Sequence, residues 1–85
     1  MTLDGRTKEL IAIGASVTAN CQSCLEYHVG KSREQGIGTQ DIDDAITIGK
    51  MVRRGAAATL DNLALTLGGQ APQAASSPGG SCGCR

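Results

Sequence analysis

The stretch Cys21-Gln-Ser-Cys24-Leu-Glu-Tyr-His28 holds two of the chain's four cysteines, its only histidine and its only tyrosine. In a helix, positions i, i+3 and i+7 share one face, so Cys21, Cys24 and His28 would stand side by side. Two thiols at that spacing close a disulfide and reopen it in a two-electron cycle. A neutral imidazole one turn beyond Cys24 takes the thiol proton, and the imidazolium then holds the thiolate by charge. Metal ligation is the other chemistry open to such a set. Helix N-termini favour thiolates through the dipole and the free N–H groups, which on position alone makes Cys21 the more acidic thiol.

Helices must position these groups. Asn20 is a good N-cap, and a helix is expected from Cys21 to about Gln35, with Leu25, Val29 and Ser32 inward and Lys31, Arg33 and Glu34 outward. Gly36-Ile37-Gly38 ends it, Gly36 suiting the left-handed position after a helix. Tyr27 reads as a packing residue whose hydroxyl reaches solvent.

Before it, Thr7 to Ala19 carries Leu10, Ile11, Ile13, Ala15 and Val17 most of the way round a helix, as in a buried one. A strand would fit the apolar run too, but nothing else in the chain could pair with it. Glu9 borders this run. It either faces the core as a proton-transfer group or sits in a first turn favoured by the dipole; local sequence alone favours the second.

Thr39 is expected to cap a third helix, with Asp41, Asp43 and Asp44 in its first turns. Its inward stripe is Ile42, Ile46, Gly49, Val52, Ala56, Leu60, Leu63 and Leu67, spaced by three or four residues throughout. Gly55 leaves open one long helix or two in sequence, ending near Gly68-Gly69. Arg53 and Arg54 read as surface or subunit-contact charges.

A length of 85 residues implies one domain. With no Phe, no Trp and one Tyr, the core must be aliphatic and small, and a homo-oligomer is the expected remedy. Eight basic and eight acidic residues, without a basic run or aromatic platform, speak against nucleic-acid binding. No apolar run reaches the ~20 residues of a membrane span, and the first residues lack the apolar region of a signal peptide. A cytoplasmic location is therefore expected, where paired cysteines are more often catalytic or metal-binding than structural.

From Gly68 the composition turns small, polar and rich in Gly, Pro and Ser, which predicts a helical domain over 1–67 and a flexible tail over 68–85. The tail ends in Cys82-Gly-Cys84. These two thiols are idle, or form a mobile dithiol that reduces a Cys21–Cys24 disulfide by exchange, or join Cys21 and Cys24 as four metal ligands. Zinc prefers two residues between its cysteines, so Cys82 and Cys84 match the last reading less well.

Glu9, eleven intervening residues, Cys21-Gln-Ser-Cys24, three more residues and His28 together resemble the signature of the alkylhydroperoxidase D-like branch of the carboxymuconolactone decarboxylase family. The Gly36 turn, Ile42 to Ile48 and Val52-Arg-Arg-Gly-Ala-Ala57 are similar too, so the resemblance spans residues 3 to about 67. It implies an all-α fold of three to four helices, assembled as a dimer-based oligomer, trimer or hexamer. It implies a thiol peroxidase or disulfide reductase that uses no cofactor beyond its own redox-active disulfide. A peroxide or disulfide is the implied substrate, and a protein or small thiol the electron donor. By this resemblance Cys24 attacks the peroxide, Cys21 resolves the sulfenic acid as a disulfide, and Glu9 and His28 relay protons. That order of the cysteines is the reverse of the one helix position favours.

Two departures from the pattern stand out. Ser23 occupies a place where some members carry a second histidine. The well-studied peroxidases also have two related helical halves, where this chain supplies one. The decarboxylase branch works without the cysteine pair, which argues against that activity here. Two other classes compete with catalysis: a metal or metalloid binding module built on Cys21, Cys24, Cys82 and Cys84, and an adaptor protein whose motif is a relic.

Overall fold

The computed structural model describes residues 1–69. The expectations for the tail beyond them, Cys82 and Cys84 included, lie outside the described residues. Within them the chain is all-helical, with α1 at Gly5–Thr18, α2 at Gln22–Glu34 and α3 at Thr39–Leu67.

Local chemistry sets each helix end. Asp4 caps α1, its carboxylate accepting the Thr7 N–H at 2.7 Å. That bond holds the Asp4 carboxyl below its ordinary value, so its contribution to α1 is present above the usual carboxylate range and fades as pH falls through the lowered one. At the other end of α1, Asn20 adopts a left-handed conformation at φ 56°. Asn20 N–H donates to Val17 O at 3.1 Å and Cys21 N–H to Ser16 O at 2.9 Å, which closes the helix with a Schellman pair.

This corrects the expected role of Asn20. It ends α1 rather than starting α2, because its short polar side chain tolerates the left-handed region that most residues avoid. The α2 cap is Cys21, extended at φ −97° and ψ 98°, whose carbonyl accepts the Leu25 N–H at 3.0 Å. Gly36 at φ 78° ends α2 as expected, with Gly36 N–H on Arg33 O and Ile37 N–H on Ser32 O. A second correction concerns Thr39, which is the first residue of α3 and not its cap, since Ile42 N–H bonds to Gly38 O at 3.2 Å. α3 passes Gly55 unbroken and closes with Gly69 at φ 88°.

The chain divides into two units at Lys50/Met51. In the first, Ile13 and Ile42 are fully buried with Ile37 and Ala45, and Leu10, Leu25, Val29 and Ile46 pack around them. An ion pair joins Arg6 to Asp41, and Thr18 Oγ1 donates to Gly49 O at 3.1 Å. Partners therefore advance together along α1 and the start of α3, so these two segments run parallel. α2 returns antiparallel between their connections. In the second unit α3 runs on to its end with Leu60, Leu63 and Leu67 exposed.

Two expectations of burial are thus overturned. Ile11 is 55% exposed, so α1 buries one side rather than its whole circumference. The expected inward stripe of α3 is exposed at Leu60, Leu63 and Leu67, because helical spacing marks a shared face but not a covering partner. Among the described residues no helix is long and apolar enough to cross a membrane.

The α1–α3 approach depends on missing side chains. A Cβ on Gly49 would stand 2.5 Å from Gly14 O and 2.8 Å from Val17 Cβ, and one on Gly14 would stand 3.3 Å from Ala45 O. Gly49→Ala should therefore lower the unfolding free energy in urea by about 1–3 kcal/mol through overpacking. Gly30 in α2 has nothing within 4 Å of such a Cβ. Gly30→Ala should instead stabilise by about 0.5–1 kcal/mol, the ordinary gain from glycine to alanine in a helix. Equal effects at the two positions would contradict this packing.

Candidate redox site

Cys21 and Cys24 are joined as a disulfide, with Cα atoms 5.3 Å apart. The geometry follows from the correction above. Cys21 is extended at the cap and Cys24 lies within the first turn of α2, so the cap side chain turns back over the helix start. There Cys21 Sγ accepts the Cys24 N–H at 3.3 Å, as a serine or aspartate oxygen does at other N-caps. Ser23 Oγ lies 3.8 Å from the same sulfur. Both cysteines are half-buried.

One turn beyond Cys24 on the same face is His28. Its Nδ1 lies 2.8 Å from Glu9 Oε1, across from α1. The His28 side chain retains 29% of its exposure and that of Glu9 only 15%. A carboxylate accepts hydrogen bonds and donates none, so Nδ1 carries the proton. Nε2 is then the imidazole nitrogen left with a lone pair. Tyr27 meets the His28 ring edge-on, with centroids 5.0 Å apart, while keeping 60% of its own exposure.

The structure therefore pairs Glu9 with His28 and Cys21 with Cys24, and α2 sets Cys24 and His28 one turn apart on one face. Glu9 faces His28 rather than standing in a first turn as a dipole partner, since α1 begins four residues earlier at Gly5. Two participants were not singled out from sequence as contacts of the sulfurs: the Cys24 backbone N–H and the Ser23 hydroxyl. The extended cap conformation that creates both contacts has no sequence signal once Asn20 is taken as the cap. Among the described residues, no three His, Cys, Asp or Glu side chains are grouped so as to hold a metal ion. The four-thiolate set lies partly outside them.

A helical pair that presents a Cys-x-x-Cys disulfide one turn from a carboxylate-bound histidine fits a thiol-based redox role. The sequence profile of the carboxymuconolactone decarboxylase family matches residues 2–71. The chain belongs to that family, which includes decarboxylase and peroxidase enzymes. It is 38% identical over 65 residues to a protein of Paracoccus denitrificans described as uncharacterized protein 4 in cox locus. The aligned region is 76% of this chain and 59% of that protein, so the chain spans about three fifths of the curated relative it matches. No solved structure matches the chain. Family membership and the disulfide pair together fit a thiol-based redox role.

The Glu9–His28 contact is tested by a double-mutant cycle. Glu9→Gln, His28→Gln and the double variant should give a coupling of about 1 kcal/mol in urea unfolding, the size of a partly buried charge-assisted hydrogen bond. Additive effects would contradict a direct contact.

Proposed function

We propose that the chain is a thiol-dependent oxidoreductase that reduces peroxides by cycling Cys21 and Cys24 between dithiol and disulfide. The observation that supports it best is the 2.8 Å Glu9–His28 bond one turn from the Cys21–Cys24 disulfide. It gives the redox pair a histidine of fixed tautomer.

In the reduced chain, His28 Nε2 takes the Cys24 thiol proton while Glu9 stabilises the imidazolium, the arrangement that activates nucleophiles in catalytic triads generally. The Cys24 thiolate attacks one peroxide oxygen. A sulfur–oxygen bond forms, the O–O bond breaks, and the leaving alkoxide takes the proton from His28. Cys21 thiolate then attacks the Cys24 sulfenic sulfur, forming the disulfide and releasing hydroxide, which is protonated to water. Two electrons from a thiol donor restore the dithiol. A disulfide substrate enters the same cycle by exchange with Cys24.

Peroxide consumption with a dithiol donor is the test. It should vanish in Cys24→Ser and fall about 100-fold in His28→Gln, the usual cost of losing a general acid–base group. Full activity in Cys24→Ser would end this reading.

A further inference from the structure

The cycle does not by itself say which sulfur departs when a donor thiol reopens the disulfide. The two sulfurs are not equivalent. Cys21 Sγ accepts the Cys24 N–H at 3.3 Å and stands 3.8 Å from Ser23 Oγ. A disulfide sulfur has no proton to give, so in the oxidised chain the Ser23 hydroxyl is the donor of that contact. The same two donors, with the positive end of the α2 dipole, are in place to hold a negative charge when the bond breaks. Cys24 lies inside the helix, and its own N–H is already directed to its neighbour's sulfur.

We propose that the α2 N-terminus and Ser23 make Cys21 the leaving sulfur, so that the donor thiol bonds to Cys24 and Ser23 is a positioning residue of the reduction step. A donor thiolate attacks Cys24 Sγ. A donor–Cys24 disulfide forms, the Cys21–Cys24 bond breaks, and its electron pair stays on Cys21 as thiolate. A second donor thiolate then attacks the donor sulfur of the mixed disulfide and releases Cys24 thiolate. The two donor thiols end as a disulfide, having supplied two electrons, and their protons balance the two new cysteine thiolates. Disulfide exchange is faster when the leaving thiol is the more acidic one, which is why the sulfur with the donors departs. Cys24 thus meets both external partners, peroxide and donor, while Cys21 remains the internal partner in both halves of the cycle.

This inference rests on reading Cys21 and Cys24 as a redox pair, and its test reads no peroxide turnover. The oxidised full-length chain is treated with glutathione, quenched in acid and mapped by fragmentation mass spectrometry. The mixed disulfide is expected on Cys24; finding it on Cys21 would overturn the proposal. The reduced chain is then alkylated with iodoacetamide across a pH series, Cys21 and Cys24 being quantified separately. Cys21 is expected to react with the lower midpoint. In Ser23→Ala that midpoint should rise by about half a pH unit, a modest share of what a hydrogen bond to a charged group contributes, and Ser23→Thr should restore it. Glu9 and His28 are identical in parent and variants, so the difference isolates the hydroxyl. An unchanged midpoint in Ser23→Ala, or a lower midpoint at Cys24, would overturn the assignment. A chain that behaves as described yet consumes no peroxide would end the peroxidase reading and leave this one standing.

Discussion

The left-handed turn at Asn20 fixes everything the site needs. It ends α1 and starts α2 within three residues, so the two helices leave it in opposite directions. Glu9 lies eleven residues before Asn20 and His28 eight after it. At 1.5 Å of rise per residue these are about 16 and 12 Å from the turn, an offset of about 4 Å that a glutamate side chain spans. The 2.8 Å contact between them is therefore a product of the hairpin's register. The same turn leaves Cys21 extended, which aims its sulfur back at the first N–H groups of α2. One backbone conformation thus sets both the histidine's partner and the sulfur's environment.

The α1–α3 contact keeps that hairpin in place from behind. Gly14 and Gly49 let backbone meet backbone, and the Thr18 hydroxyl bonds across to the Gly49 carbonyl. Thr18 is the last residue of α1, so this bond anchors the helix end that the Asn20 turn must follow. A core of isoleucines and one alanine, without any aromatic ring, has little area with which to fix angles. Close backbone approach and a hydroxyl bond supply the fixing instead. The disulfide consequently joins the cap of α2 to its first turn, next to a helix end that the α1–α3 contact anchors.

Much of this was legible in the residues. Helical spacing located all three helices, and Gly36 marked the end of α2 because a left-handed turn there favours glycine. Cys21, Cys24 and His28 declared themselves by type and spacing. Glu9 did not: on local pattern it reads as a first-turn acid, and only resemblance to a family connected it with a histidine nineteen positions away. The start of α2 was misplaced by one residue because asparagine is favoured both at N-caps and in the left-handed region, and sequence does not separate the two. That single residue matters chemically, since it moves Cys21 from the first helical position to the cap and hands its sulfur the Cys24 N–H. Gly49 was visible as part of a stripe, but its contact with Gly14 was not, because close approach between small residues leaves no periodic trace. The exposure of Ile11, Leu60, Leu63 and Leu67 shows the other limit of periodicity. It identifies a face without saying what covers it.

The roles assigned to the cysteines reconcile two arguments that pointed in opposite directions. Helix position favours Cys21 as the more acidic thiol, and family resemblance names Cys24 as the group that attacks peroxide. In the proposed cycle a cap-held Cys21 thiolate is the resolving and leaving group, and the Glu9-bound histidine activates Cys24. In the proposed cycle peroxide reacts first at Cys24. It is tested most directly by giving the reduced chain a short, substoichiometric pulse of peroxide in the presence of a sulfenic-acid trap, followed by mass spectrometry. A Cys21–Cys24 disulfide is expected in the parent and trapped sulfenic acid on Cys24 in Cys21→Ser. Oxidation that begins at Cys21, Cys82 or Cys84 while Cys24 stays reduced would contradict it.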